Sequence, residues 1–335
     1  MREKISISDS EAANRAGSSR RSVLALMLGA CRWLPGMLPA ASFGAPATAS
    51  GGDPTKAANS SAVRLAISES LVSGVNLNDA RAAMLIWLRQ MEAELRLPIE
   101  TDPNVFEPTA EILRRAHGGL FDAVALNIIE YRQIAGFLDP NWIMNDTSGA
   151  EQYLLLVKRG AGFEKPADLR GRRLLMFTGA RMCVAYPWLS TVVDVGHPGA
   201  AEPFFGSIVE DAKAGRVILP VFFGQADACV TSKSSFDVMC ELNPQVARDL
   251  TAIATSPSMV VTFYTFHKNY KGPNRDRFAH VNPSATVSGK QVATLFQFSS
   301  LTIGDAARLE PALAVLEKAE HIRIRLAPGK EGRGE

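Results

Sequence analysis

The stretch from Asp168 to Trp188, DLRGRRLLMFTGARMCVAYPW, carries the pattern that decides the predicted fold. A basic approach precedes an apolar run, Leu174 to Phe177, and Thr178 and Gly179 then predict a turn before a helical segment that starts at Arg181. A strand, a tight loop and a helix start direct unpaired backbone N–H groups at the space above the strand, where the helix dipole favours an anion. The stretch therefore predicts a site for a small anionic ligand.

The 335-residue chain has an ordinary globular composition, with 47% hydrophobic residues and a formal net charge of +2. Its length is sufficient for two domains. No block of Lys and Arg with interleaved aromatic residues occurs, so nucleic acid is not an expected partner. The sequence lacks the phosphate-binding glycine motifs, the HExxH zinc pattern and the GxSxG nucleophile elbow. We therefore expect no metal, no cofactor and no catalytic residue.

Residues 1–49 have the character of an export signal, which predicts a periplasmic location. Arg20 and Arg21 follow two serines and precede an apolar run, as in a twin-arginine signal. Cleavage at a small-residue site near Ala47 or Ala49 is the favoured route of maturation. The alternative is a lipoprotein box that ends at Cys31 and would leave this cysteine lipidated.

The first part of the mature chain alternates apolar runs with helical patterns. The run AVRLAIS ends in polar residues that include Ser68 and Ser70, and FDAVALN ends at Asn127. Three strands and their helices within about 75 residues predict a doubly wound α/β domain, in which ligands bind beyond the carboxyl ends of parallel strands. Ser68, Ser70 and Asn127 are therefore candidate ligand contacts. The alternative is that they are helix caps or turn formers.

A polar break from Asp139 to Glu151 predicts a crossing into a second domain. There, Ser207 and Glu210 have the spacing of a helical capping box, and GQADACVTS predicts a strand that delivers Ser232. MVVTFYTFHK predicts a return strand to the first domain, and the tail is predicted to be helical. The predicted boundaries are 62–150 and 262–325 for lobe 1, and 151–261 for lobe 2.

Three cysteines follow the signal, and their odd number without a CxxC spacing predicts neither a disulfide scaffold nor a zinc site. Cys229 and Cys240 are compatible with a disulfide in an oxidising compartment and equally with buried thiols. Cys183 is the one residue that suggests a reactive group in the cleft.

At this point the chain resembles the periplasmic solute-binding proteins of phosphate, phosphite and phosphonate ABC transporters, the phosphonate-binding branch of the type 2 periplasmic-binding fold. The resemblance covers roughly Val63 to Ala319. It is carried by VRLAISESLVSGVN, FDAVALNIIEY, KPADLRGRRLLMF, GQADACVTS and the helical close. It implies two doubly wound α/β lobes joined by a hinge, which close over one small oxyanion. It also implies delivery to an inner-membrane ABC permease, a monomer and no enzymatic activity.

The loop after the diagnostic strand departs from the family pattern. The family's Ser/Thr cluster is replaced by Ala180-Arg181-Met182, and the acidic residue suited to a ligand amine is replaced by Ser232. Arg181 is predicted to donate a paired hydrogen bond to an oxyanion, and the alternatives are exposure or a structural ion pair with a carboxylate such as Asp194 or Asp227. The candidate ligand contacts are Ser68, Ser70, Asn127, Tyr131, Thr178, Gly179, Arg181 and Ser232.

The sequence is also compatible with two other functions. The same ligand trap serves a periplasmic sensor when a receptor or kinase, rather than a permease, recognises its closed form. An enzyme on the same fold requires a reactive cleft residue, for which Cys183 is the candidate.

Overall fold

The computed structural model describes residues 62–96, 98–102, 104–146, 150–193, 203–272, 274–279, 287–295, 301–322 and 326. The predicted export signal, residues 1–49, lies outside the described residues. The described part is a mixed α/β structure, as predicted, with two β-sheets and helices packed on them. None of its helices combines the length and the apolar character that crossing a bilayer requires.

The strands form one sheet of six and one sheet of five. They are β1 (Val63–Ile67), β2 (Ile99–Thr101), β3 (Ala123–Asn127), β4 (Leu138–Asp146), β5 (Tyr153–Lys158), β6 (Arg173–Phe177), β7 (Ser207–Asp211), β8 (Ala228–Ser232), β9 (Leu250–Thr255), β10 (Thr262–His267) and β11 (Leu301–Gly304). The first sheet has the order β11-β4-β10-β3-β1-β2, and the second has the order β7-β6-β8-β5-β9. We refer to the elements around these sheets as lobe 1 and lobe 2.

The helices lie in the connections between strands, except the last, which follows β11. They are α1 (Leu77–Leu95), α2 (Thr109–Gly118), α3 (Ile128–Ile134), α4 (Ala185–Val193), α5 (Ala214–Phe222), α6 (Lys233–Leu242), α7 (Pro244–Asp249), α8 (Arg275–Ala279), α9 (Val287–Leu295) and α10 (Glu310–Glu320). Short 3-10 turns at Glu69–Val72 and Ala180–Met182 follow β1 and β6.

Lobe 1 contains the predicted doubly wound arrangement. β1 pairs in parallel with both β2 and β3, and its apolar side chains are buried on both faces. The amide oxygen of Asn76 accepts hydrogen bonds from two N–H groups in the first turn of α1, and one face of α1 is buried along Ala80, Met84 and Trp87. The helix and strand predictions for this segment are confirmed.

The chain crosses between the lobes through two segments that pair with each other. Glu151 and Met259 exchange backbone hydrogen bonds of 2.8 and 2.9 Å, which places the segment before β5 beside the segment before β10. β10 then pairs antiparallel with β3, so the chain returns to the first sheet. One large apolar core runs through this junction, because side chains from both sheets and from Met259 to Val261 belong to the same buried cluster.

Two secondary-structure predictions are wrong. Ser207 and Glu210 do not form a helical capping box: Ser207–Asp211 is β7, which pairs in parallel with β6 and covers the edge that β6 would otherwise expose. The predicted polar break after Asp139 is the strand β4, whose position between β10 and β11 satisfies its backbone. In both segments tertiary pairing overrides the local pattern.

The final helix joins the two lobes. α10 falls within the segment 262–325 that was predicted for lobe 1, yet it packs mainly against α4 of lobe 2. Its buried residues Ala312, Val315 and Leu316 belong to the shared core. Arg132 on α3 of lobe 1 forms an ion pair with Glu320 near the end of α10. α10 therefore lies across the junction.

Candidate functional site

Two adjoining cavities lie between the lobes, of about 90 and about 40 Å³. The larger is lined from lobe 1 by the segment after β1, which includes Ser73 and Gly74, and from lobe 2 by the loop after β6. The smaller lies against β10 and the end of β4. Leu71, Ala180 and Arg181 line both cavities. The two cavities thus form one narrow cleft, and Arg181 lies at the boundary between them.

The lobes lie close together at Gly74. This residue has a φ of 85°, in the left-handed region that favours glycine. A Cβ atom at this position would lie 3.4 Å from the Cβ of Ala212 and 3.8 Å from the Cα of Gly179, both in lobe 2. Backbone therefore faces backbone across this part of the cleft, and the structure has its lobes in contact.

In lobe 1, hydroxyl groups converge on the buried carboxylate of Glu130. Ser68 Oγ donates to Glu130 Oε1 at 2.5 Å, Thr109 Oγ1 donates to the same oxygen at 2.6 Å, and Ser70 Oγ donates to Oε2 at 3.0 Å. The Asn127 N–H also donates to Oε2 at 3.0 Å, completing a capping box at the start of α3. These donors are of the kind that bind an oxyanion, but here they bind the Glu130 carboxylate of the chain itself.

Arg181 forms ion pairs with two buried carboxylates. Its Nη2 lies 3.3 Å from Asp146 Oδ2 at the end of β4, and its Nη1 lies 3.7 Å from Glu151 Oε2 beside β5. The exposed fractions of the two carboxylate side chains are only 4% and 5%, against 18% for Arg181. The Tyr153 hydroxyl donates to the Arg181 carbonyl at 2.6 Å and fixes the backbone. The pair with Asp146 joins lobe 1 to lobe 2.

Glu151 is also tied to the helix that follows β8. Ser234 Oγ lies 3.1 Å from each of its carboxylate oxygens. Burial raises the pKa of the Glu151 carboxyl, although Arg181 and Ser234 oppose that shift. Ser232 caps the same helix, since its Oγ accepts from the Ser235 N–H at 3.2 Å. The hydroxyls at this end of β8 are thus engaged within the chain.

The eight predicted ligand contacts fall into three places. Thr178, Gly179, Arg181 and Ser232 line the larger cavity. Ser68, Ser70 and Asn127 surround Glu130. Tyr131 is buried in the core, where its ring packs edge-on against Phe263 with centroids 5.3 Å apart, and burial raises the pKa of its hydroxyl. Ligand binding by each of these residues remains a prediction.

Three carboxylates of this region were missed by the sequence reasoning: Glu130, Asp146 and Glu151. Only Glu130 had a local signal, because it stands three residues after Asn127 in the spacing of a capping box. The sequence also allowed an ion pair for Arg181, with Asp194 or Asp227 as its partner. Asp194 lies outside the described residues, and Asp227 accepts a hydrogen bond from the Arg173 N–H instead.

The cysteines show no reactive arrangement in the described part of the chain. Cys183, Cys229 and Cys240 are free thiols there. Burial raises the pKa of the Cys183 thiol to about 12, so the thiol is protonated at neutral pH and a poor nucleophile. Among the described residues, no group of three or more His, Cys, Asp or Glu side chains has the arrangement of a metal site.

The two lobes, the paired crossing segments and the cleft between them define the type 2 periplasmic-binding fold. No protein-family model matches the chain, and no curated protein matches it either. Solved structures do match it, and they include a binding protein component of an ABC phosphonate transporter and a protein solved with methylphosphonate.

Three solved structures illustrate the similarity. A binding protein component of an ABC phosphonate transporter from Pseudomonas aeruginosa is 12% identical, with a TM-score of 0.51, over 77% of this chain and 86% of that one. A Prochlorococcus marinus protein in complex with methylphosphonate is 11% identical, with a TM-score of 0.51, over 78% and 99%. A Xanthomonas citri protein bound to ATP is 12% identical, with a TM-score of 0.53, over 79% and 98%. At these identities the similarity establishes the fold.

Proposed function

We propose that this chain is an exported solute-binding protein that captures a small oxyanion, of the phosphonate, phosphite or phosphate type, for uptake by an ABC transporter. The observation that carries the proposal is the position of Arg181, which lines both cavities of a cleft closed by two lobes. A guanidinium donates paired, charge-assisted hydrogen bonds to an oxyanion. The ligand would lie between Arg181 and the backbone of Thr178 and Gly179.

The dimensions of the cleft support a small ligand. Its cavities of about 90 and about 40 Å³ compare with roughly 10–15 Å³ for a site that holds one water molecule. The space therefore suits an anion of a few heavy atoms. A peptide or an oligosaccharide would require the lobes to separate widely.

The structural neighbours support the same class of ligand and the same role. The Pseudomonas aeruginosa protein is a component of an ABC phosphonate transporter, and the Prochlorococcus marinus protein was solved with methylphosphonate. A periplasmic location, an inner-membrane permease as partner and a monomeric binding protein without enzymatic activity complete the proposal. The paired Arg20 and Arg21 in the predicted signal agree with export.

A ligand screen tests the proposal directly. The mature protein is titrated with phosphate, phosphite, methylphosphonate, methanesulfonate and acetate, and the melting temperature and binding heat are recorded. A ligand that binds only the folded state stabilises it by about 2.7 kcal/mol at 100 times its Kd. We expect at least one phosphorus oxyanion to stabilise the protein.

Paired variants separate a cleft site from adventitious binding. Arg181→Gln is expected to abolish anion binding, because it removes the cleft guanidinium. Arg114→Gln is the control, since Arg114 is 61% exposed and pairs with Glu111 on the surface of α2. The proposal would be contradicted if no phosphorus oxyanion stabilises the wild type. It would also be contradicted if Arg181→Gln, measured below its own melting temperature, binds the anion as well as the wild type does.

A further inference from the structure

A separate cavity of about 180 Å³ lies in lobe 2 and shares no lining residue with the cleft. We call it the outer cavity; its floor is formed by Leu175 of β6 and Val209 of β7, and its wall by Val217 of α5. Among the described residues, β7 is the outermost strand on this side of the sheet. An engineered apolar cavity of roughly 150 Å³ binds benzene. The outer cavity is thus large enough for a ligand that contains a ring.

The floor of the outer cavity is apolar and only partly covered by α5. Leu175 and Val209 are register partners in the parallel pair of β6 and β7, so their side chains stand on the same face of the sheet. Leu175 is buried in one cluster with residues of α5, whereas Val209 at the sheet edge is 44% exposed. Val217 and Pro220 line the cavity from the same side of the helix. An apolar group bound here would cover the exposed valine.

Two arginines stand at the rim of the outer cavity. Arg216, in the first turn of α5, lies 3.6 Å from the carboxylate of Asp211 at the end of β7, and both residues line the cavity. Arg173, the first residue of β6, donates a 3.4 Å hydrogen bond to the Gln225 carbonyl. Its guanidinium forms no ion pair with a carboxylate of the described residues. The lining therefore has an excess of positive charge, and Arg173 retains N–H donors for a ligand.

We propose that the outer cavity binds a small organic anion, whose apolar body contacts Leu175, Val209 and Val217 and whose carboxylate or phosphate group accepts from Arg173. A guanidinium donates paired, charge-assisted hydrogen bonds to such a head group. Water screens an exposed arginine, so the ionic contact alone binds weakly, and burial of the apolar body supplies the second contribution. A good ligand therefore needs both parts. The inference concerns a surface outside the cleft and does not depend on the proposed function.

Four small probes test whether the site needs both parts. The mature protein is titrated, with ligand-observed NMR as the readout, with benzoate and phenyl phosphate, which have a ring and a charge. Benzyl alcohol has the ring without the charge, and acetate has the charge without the ring. We expect benzoate or phenyl phosphate to bind at least about tenfold more tightly than benzyl alcohol and acetate, and the tighter of the two identifies the head group. Equal affinity for all four probes, or no binding of either charged aromatic probe, would overturn the inference.

Two pairs of variants locate the bound probe. Arg173→Gln removes the head-group contact, and Arg114→Gln is its control, because Arg114 is 61% exposed on α2. Val209→Phe fills the floor of the cavity without a change of charge, and Val238→Phe is its control, because Val238 is 53% exposed on α6. We expect the tighter probe to lose at least about tenfold in affinity in Arg173→Gln and in Val209→Phe, and to keep its affinity in both controls. Unchanged affinity in Arg173→Gln or in Val209→Phe would overturn the inference.

The variant Arg181→Gln separates the outer cavity from the cleft. We expect it to bind the aromatic anion as the wild type does. Loss of binding in Arg181→Gln together with full binding in Arg173→Gln would place the aromatic anion in the cleft and overturn the inference, while the proposed function stands. If Arg181→Gln does not fold, the wild type is titrated in the presence of excess methylphosphonate, where displacement of the aromatic anion counts against the inference. Failure of every phosphorus oxyanion to bind would overturn the proposed function and leave this inference intact.

Discussion

Replacing Arg181 with Gln is expected to destabilise the protein even without a ligand. The substitution leaves Asp146 and Glu151 buried without the guanidinium that they share. Breaking a buried ion pair by removing one partner costs about 3–5 kcal/mol. The 18% exposure of Arg181 and the 3.7 Å separation from Glu151 place the expected loss at the lower end, about 3 kcal/mol. That is a large part of the roughly 5–15 kcal/mol typical of a folded protein.

Urea unfolding followed by circular dichroism measures this loss, with Arg114→Gln as the control. Solvent screens an exposed ion pair, so the control is expected to change stability little. In the double variant Arg181→Gln/Asp146→Asn, one uncompensated charge is removed as well, and a coupling energy of about 0.5–3 kcal/mol is expected. An Arg181→Gln protein as stable as the control, or a double variant whose loss is the sum of the single losses, would refute the ion-pair reasoning.

Three further predictions concern the neighbouring groups. Glu130→Gln is expected to lower the free energy of unfolding by about 1–3 kcal/mol, because an amide cannot accept from all of its donors; Glu130→Gln stability equal to the wild type in urea unfolding would contradict this. Burial raises the pKa of Glu151, so its contribution favours folding at low pH and is lost as pH rises through the folded pKa. Unfolding measured between about pH 4 and pH 8 should therefore show a smaller decline with rising pH in Glu151→Gln, and identical slopes would oppose this view. Gly74→Ala, at a φ of 85°, should lose about 1–2 kcal/mol from backbone strain, detectable as a lower melting temperature, whereas Gly136→Ala, where an added Cβ would meet only open space, serves as a comparison.

The fold was largely predictable because apolar runs and helical periods repeat in a regular order. β1, β3 and β8 are short and buried, and each ends in or is followed by a polar residue; each was predicted from that pattern. β7 was not, because its sequence has the spacing of a helix start and its pairing with β6 is a long-range property. Residues Ser207–Asp211 form a strand because β6 has an edge that they can pair with, and the local sequence does not show this.

The partners of the candidate site residues were much less predictable. Ser68 and Ser70 were identified at the end of β1, but the carboxylate that receives their hydrogens stands 62 and 60 positions further along the chain. Arg181 was identified as an unusual cation, and its partner Asp146 is 35 positions away in the other lobe. Sequence patterns indicate which groups lie at strand ends. They do not indicate which of those groups neutralise one another once the lobes meet.

α10 links the two lobes in addition to the two crossing segments. The two crossing segments are hydrogen-bonded to each other, so relative rotation of the lobes would take place about this pair of segments. α10 follows β11 of the first sheet, yet it packs on α4 of the second lobe. It is well separated along the chain from the two crossing segments. Rotation must either carry α10 with lobe 2, bending the connection after β11, or uncover the apolar face of Ala312, Val315 and Leu316. Opening of the cleft would therefore carry a free-energy cost that depends on how α10 is packed.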